Sequence, residues 1–327
     1  MLKLTIETIG NVILNKKDVI FIAGHNGMVG SSIHNLLESQ GYTNILTVER
    51  KELDLTNQRM VQDFFIKNAP DYVFLAAAKV GGIHANNSLG GDFIYENIMI
   101  QNNVIHHASK NNTKKLLFLG SSCIYPKAPQ IPIKEESILS GKLEPTNKSY
   151  AIAKIAGIEM CQSYRKQYGF NAVSVMPTNL YGPKDNFSLE NSHVLPALLR
   201  KFHDAKLNND KNVTLWGDGS PYREFLYVDD IATAALLCMQ NYDDAEIINI
   251  GVGEDIQIKE LSSMVSEIVG YEGKILWDES KPNGTPRKLL DNSKILNLGW
   301  KPEITLEEGI NKTYSWFVDN LENIKID

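Results

Sequence analysis

The feature that most constrains this chain is a buried-strand pattern that runs straight into glycines and then into an amphipathic helix. Asp18-Val19-Ile20-Phe21-Ile22-Ala23 is apolar after its first residue, as in a strand covered on both faces. Gly24-His25-Asn26-Gly27-Met28-Val29-Gly30 follows with a GxxGxxG spacing. Ile33, Leu36 and Leu37 then recur at helical spacing, and Gly41 ends the segment. In such a unit the glycines let the backbone approach a pyrophosphate at the helix N-terminus. Gly24, Asn26, Gly27, Met28, Val29 and Gly30 are therefore candidate dinucleotide contacts.

The alternation continues. Strands are expected over 44–48, 72–78, 115–119 and 171–176, and helices over 93–111 and 150–168, the latter capped by Gly169. Repeated strand–helix units imply an α/β fold: a Rossmann-type, doubly wound parallel sheet with ligands at the carboxyl ends of its strands. Gly24, Glu49, Lys79 and Ser121 all fall at such ends. At the second strand end an acid binds the ribose hydroxyls of NAD, whereas a base accommodates the 2′-phosphate of NADP. Glu49 and Arg50 supply one of each, which leaves NAD(H) open beside NADP(H). Asp54 and Leu55 follow at the adenine end.

The residues with the most chemistry are Ser121 and Cys123, just beyond the strand at 115–119, and the pair Tyr150 and Lys154. Four residues apart on a helix, Tyr150 and Lys154 share one face. An ammonium beside a phenol favours the phenolate and lowers the tyrosine pKa, which makes Tyr150 a proton donor and acceptor near neutrality. Ser121 is placed to hold a carbonyl oxygen against that phenol.

At 327 residues the chain has room for two domains. Residues 1–180 are expected to form the dinucleotide-binding domain, with 1–17 as an N-terminal extension. Residues 181–327 would be mainly a smaller α/β substrate domain, with parts of 225–250 returning to the first. In the extension Leu2, Leu4 and Ile6 alternate with polar residues, which suggests a short added strand. Residues 213–216, Gly217-Asp218-Gly219 and 223–228 read as a hairpin. Asp229 and Asp230 read as caps of a helix running through Met239, and another helix is expected over 194–206.

A net charge of −6 argues against a binder of nucleic-acid backbones. No apolar run approaches the roughly 18 residues of a membrane helix, and 1–17 does not read as a signal peptide. Cys123, Cys161 and Cys238 are sparse and lack metal-ligand spacing, so no metal is expected. They fit a reducing, cytoplasmic setting, with Cys161 and Cys238 as small buried hydrophobes.

The glycine loop, Ser121 and the Tyr150/Lys154 pair occur in the order that resembles the extended short-chain dehydrogenase/reductase superfamily. Further stretches closely resemble the GDP-L-fucose synthases. They include Ala76-Ala77-Ala78-Lys79-Val80-Gly81-Gly82-Ile83, Glu144-Pro145-Thr146-Asn147, Asn191-Ser192-His193 and Lys281-Pro282-Asn283-Gly284-Thr285-Pro286-Arg287-Lys288. The resemblance covers nearly everything from Val19 to Phe317. It implies an NADP(H)-dependent 3,5-epimerase/4-reductase of a GDP-linked 4-keto-6-deoxy sugar, working as a homodimer built on the helices of Phe93 and Tyr150.

Carried over by position, the resemblance implies that Ser121, Tyr150 and Lys154 serve ketone reduction. Cys123 and His193 would be the acid/base pair of epimerisation. It adds Ala77, Lys79, Leu119, Pro177, Asn179, Leu180 and His193 to the cofactor contacts. Ser121, Cys123, Asn179, Lys201, Trp216, Arg223, Asn283 and Lys288 would meet the substrate. The chemistry is self-consistent: a C4 ketone acidifies the protons on C3 and C5, and reference pKa values of Cys and His bracket neutrality.

Asn26, Lys201 and Asn283 depart from the family pattern of Arg, Arg and Asp. These departures keep open a C4-reductase acting on a heptose, with epimerisation done elsewhere. A non-catalytic dinucleotide sensor is the remaining alternative, but it has no use for Ser121, Tyr150 and Lys154 together.

Overall fold

The computed structural model describes residues 14–281, 283–322 and 324, so the strand suggested by Leu2, Leu4 and Ile6 lies outside the described residues. Strand and helix alternate first: β1 (Ile20–Ala23), α1 (Met28–Ser39), β2 (Ile45–Leu46), α2 (Gln58–Asn68), β3 (Tyr72–Leu75), α3 (Ile83–Ser88), α4 (Gly90–Lys110), β4 (Lys115–Leu119), α5 (Lys148–Tyr168) and β5 (Ala172–Pro177). The next elements are β6 (Asn179–Tyr181), α6 (Val194–Asn208), β7 (Asn212–Trp216), β8 (Tyr222–Arg223), β9 (Phe225–Tyr227), α7 (Val228–Asn241) and β10 (Ile248–Ile250). Then come β11 (Ile256–Gln257), α8 (Ile258–Val269), β12 (Lys274–Asp278), β13 (Arg287–Lys288), α9 (Ser293–Asn297) and α10 (Leu306–Asp319).

Six strands form one parallel sheet in the order β10-β5-β4-β3-β1-β2. Successive strand side chains point to opposite faces, and both faces are covered. Ile20, Ile22, Tyr72 and Phe74 pack with Ile33 and Leu37 of α1 and Ile231 of α7. Phe21, Ala23, Val73 and Leu75 pack with Phe65 of α2, Val104 of α4 and Ile158 of α5. This double burial is why the strands read as continuous apolar runs. The first cluster continues without a break into Phe202 of α6, Val265 of α8 and Phe317 of α10.

From β1 the chain steps outward to β2 and then crosses back to β3 on the other side. The crevice outside the strand ends at such a reversal is where doubly wound sheets bind ligands.

Two sequence expectations are corrected. Residues 213–228 do not form a hairpin: β7 pairs in parallel with β12, β8 lies between β11 and β13, and β9 pairs with β6. The cause is Glu224, which is fully buried between β8 and β9. Its carboxylate accepts from Gly253 N at 2.8 Å and Leu290 N at 3.0 Å. Backbone donors from two other loops thus hold the chain there, and burial raises this carboxyl above the usual carboxylate range.

Nor do Asp229 and Asp230 cap α7, whose N-cap is Tyr227. Asp229 accepts from Ser32 Oγ of α1 at 2.6 Å, and Asp230 accepts from Glu303 N and Ile304 N at 2.9 and 3.1 Å. Both acids still lie in the first turn, where they complement the helix dipole.

Candidate active site

The β1–α1 loop forms a backbone cradle. A β-carbon on Gly30 would stand 2.1 Å from Gly24 O, and one on Gly24 would stand 2.7 Å from Ala77 N. Loop, helix and the segment after β3 therefore meet backbone to backbone. At the start of α1, Gly27 is the N-cap, no side chain caps the helix, and its first turn holds no acid. Free amides and the positive end of the helix dipole suit an anionic phosphate at this point.

Beside the cradle, Asn26 Nδ2 donates to Glu49 Oε1 at 2.9 Å. Arg50 Nη2 donates to Glu96 Oε2 at 3.3 Å, and the arginine side chain is 77% exposed. Lys79 Nζ meets Glu96 Oε1 at 2.5 Å and Asp92 at 3.4 Å, and Glu96 holds the Lys79 ammonium above its usual pKa. Asn97 fixes the Lys79 backbone by both its N–H and its carbonyl, at 2.9 and 3.0 Å. Glu96 is a site residue that the sequence reading missed. Its signal was an acid four residues after Asp92 on one helix face, opposite two loop cations. Asp54 accepts from the hydroxyl and amide of Thr56, which holds its carboxyl below the usual range. Leu55 packs at the edge of the second cluster.

At the end of β4, Leu119 O accepts from the buried Lys154 Nζ at 2.7 Å. Ser121 opens a short helical turn, its Oγ accepting from Cys123 N at 3.2 Å. The Tyr150 phenol is hydrogen-bonded to Ser121 and adjacent to Cys123, and Phe93 meets its ring edge-on at 6.4 Å. Lys154 Nζ stands 5.8 Å from the centre of that ring. The expected lowering of the Tyr150 pKa does not hold in the free protein. Burial outweighs the hydrogen bond from Ser121 and pushes the phenol up, and burial also pushes Lys154 down to about 7. Tyr150 therefore holds its proton at neutral pH.

Cys123 Sγ accepts from Asn147 Nδ2 at 3.3 Å and lies 3.9 Å from Lys288 Nζ. His193 is the N-cap residue of α6. Its loop is fastened by Gly82, whose N–H donates to Asn191 O at 2.7 Å. A β-carbon on Gly82 would stand 2.2 Å from Ser192 O, so any side chain there displaces the histidine loop. Solvent reaches His193, yet the cleft walls and then the charge of Lys288 lower its pKa, so the imidazole is neutral at pH 7.

Lys288 and Arg223 are register partners in the β13–β8 pair. Neither they nor Lys201 pair with a carboxylate among the described residues, and burial depresses the pKa of Lys201 and Arg223. Arg287 differs: Asp255 takes it in two hydrogen bonds of 2.6 and 3.0 Å. Asn179 Nδ2 donates to Glu224 O at 2.7 Å, between Pro177 and Leu180 at the β5–β6 junction. Trp216 is 60% exposed, with Lys281 Nζ 5.7 Å from its ring centre. Asn283 Oδ1 accepts from Asp218 N at 2.9 Å; a carboxylate oxygen would accept equally well, so this departure preserves the turn.

Ser121, Cys123, Tyr150, Lys154 and Lys288 thus converge, with His193 beside Lys288. Trp216 and Asn283 lie on a separate exposed turn. Among the described residues no group of His, Cys, Asp and Glu could hold a metal ion, and no helix is long and apolar enough to cross a membrane.

Lys154 has a measurable signature. From about pH 7 to its ordinary value of 10.5 the unfolded chain carries its proton and the folded chain largely does not. Its contribution to stability therefore rises with pH across that window. Lys154→Met is expected to flatten the pH dependence of urea-unfolding free energy between pH 7 and 10, by up to about 1.4 kcal/mol per pH unit. An unchanged slope contradicts the burial argument.

The NAD dependent epimerase/dehydratase family model matches residues 20–251. GDP-L-fucose synthase 1 of Arabidopsis thaliana is 55% identical over 320 residues, covering 97% of this chain and 99% of its own. GDP-L-fucose synthase of Escherichia coli K12 is 52% identical over 318 residues, covering 94% and 99%. Among solved structures, the GDP-mannoheptose C4 reductase of Campylobacter jejuni with NADP bound matches at a TM-score of 0.85 and 42% identity, over 94% of this chain and 100% of that one. The chain belongs to the NAD dependent epimerase/dehydratase family and, within it, to the GDP-L-fucose synthases.

Proposed function

We infer that this chain is an NADP(H)-dependent 3,5-epimerase/4-reductase of a GDP-linked 4-keto-6-deoxy sugar. The observation that carries the reading is one site holding a Ser121/Tyr150/Lys154 group and, on either side of Lys288, the further groups Cys123 and His193. A plain C4 reductase has no task for that pair. Identities of 52 and 55% to synthases, against 42% to a heptose reductase, support a hexose substrate.

The cradle at Gly24–Gly30 fits the cofactor pyrophosphate, since only backbone and a bare helix end line it. Arg50 and Asn26 would meet the 2′-phosphate; the exposed Arg50–Glu96 pair is weak and readily exchanged. When bound, NADPH supplies the hydride for C4.

The protein's own groups divide the remaining work. Ser121 Oγ and the Tyr150 phenol hold the C4 oxygen and stabilise the negative charge that grows on it. With that charge stabilised, the C3 and C5 protons become removable. Cys123 and His193 exchange them, one group taking a proton and the other returning one from the opposite face. The neutral imidazole has a free acceptor nitrogen for this. Tyr150, protonated at neutral pH, then gives its proton to the C4 oxygen, and Lys154 stabilises the phenolate left behind. Lys201 and Arg223, unpaired with any described carboxylate, suit the substrate pyrophosphate; lysine at 201 keeps the charge without the arginine fork.

We also propose a homodimer on α4 and α5, supported by exposed Tyr95 and Ile152 on these helices, at 63% and 37%.

In deuterated water with NADP+, Cys123→Ser is expected to slow solvent exchange at C3 and C5 by about 100-fold or more while Tyr150 chemistry persists. Tyr150→Phe should cost NADPH oxidation a similar factor. Exchange unaffected by Cys123→Ser, read by NMR, removes Cys123 from epimerisation. Light scattering at micromolar concentration is expected to give twice the chain mass, and a monomer counts against the dimer.

A further inference from the structure

Asn147 stands immediately before α5, where an asparagine side chain ordinarily accepts a hydrogen bond from the first helical turn. Here it makes no such bond. Its Nδ2 is turned instead toward Cys123, donating to Sγ at 3.3 Å. Its Oδ1 is buried without a hydrogen-bond partner among the described residues. A residue that forgoes a cap and leaves a buried oxygen unpaired is poorly explained by stability alone.

The surroundings of the sulfur indicate what the contact does. Lys288 Nζ approaches Sγ from β13 at 3.9 Å. Ser121 and the Tyr150 phenol stand on the β4 and α5 sides. No carboxylate among the described residues pairs with Lys288 or hydrogen-bonds to Asn147. The sulfur thus faces N–H donors from two directions. The amide's fixed attachment at the start of α5 gives the sulfur a defined position.

We propose that Asn147 is a positioning residue for proton exchange at Cys123, its side-chain N–H holding Sγ in place. This rests on the reading of Cys123 as one of the epimerisation pair. In that step Sγ takes or returns one sugar proton and Asn147 keeps its own.

Iodoacetamide at pH 7 tests the contact without any turnover. Cys161 and Cys238 are 1% and 0% exposed and pushed up to about 12 by burial, so alkylation followed by mass spectrometry reports Cys123. Asn147→Ala is expected to change the alkylation rate several-fold, about the factor carried by one lost hydrogen bond. Asn147→Asp, which puts an oxygen acceptor where the N–H donor stood, should change it as well. Melting temperatures should barely change, since α5 loses no capping bond. Solvent deuterium exchange at C3 and C5 should fall in both variants. Alkylation unchanged in both variants overturns the proposal. Altered alkylation with undiminished exchange keeps the Asn147 contact but overturns the role of Cys123 on which it rests.

Discussion

The hydrogen bond from Lys154 Nζ to Leu119 O joins the end of β4 to α5 inside the protein, and the reactive geometry depends on it. The strand end sets Ser121 and the helix sets Tyr150, so this bond and its neighbours govern how the two meet. Gln101 of α4 reinforces the junction by donating to Ala153 O at 2.6 Å. Burying an amine there is costly, which is why Lys154 is pushed down to about 7. The same enclosure keeps Tyr150 protonated, the form in which a phenol can deliver a proton to a ketone oxygen.

A second constraint brings the later part of the chain to this junction. Glu224 gathers backbone donors from the loops around Gly253 and Leu290. The β8 and β13 pairing beside it places Arg223 next to Lys288, and Lys288 faces Cys123. From the other side, Gly82 lets the loop of His193 lie directly on the segment after β3. In the proposed mechanism reduction uses the first junction alone and epimerisation uses both, so the two activities would map onto separable sets of contacts.

Much of this was legible from local patterns. The run at Val19–Ala23, the glycine spacing and the recurrence of Ile33 and Leu37 report double burial and a bare helix start, both properties of nearby residues. Cys161 and Cys238 are buried as their helical surroundings suggested. What escaped was settled by partners far along the chain. Glu224 looks like one polar residue inside a strand, and only the distant Gly253 and Leu290 amides make it a break. Asp229 and Asp230 have the look of caps but serve Ser32, Glu303 and Ile304. Asn147 likewise sits at a cap position, and its actual partner is a sulfur 24 residues earlier. The sign of the Tyr150 shift depends on burial, which a four-residue spacing does not encode.

Whether one cleft performs both reactions is decided by the product that the intact chain forms from GDP-4-keto-6-deoxy-mannose and NADPH in deuterated water, read by NMR. The geometry predicts an L-configured sugar with solvent deuterium at both C3 and C5. A reduced sugar free of deuterium at those carbons would contradict it, leaving Cys123 and His193 without the proton exchange assigned to them.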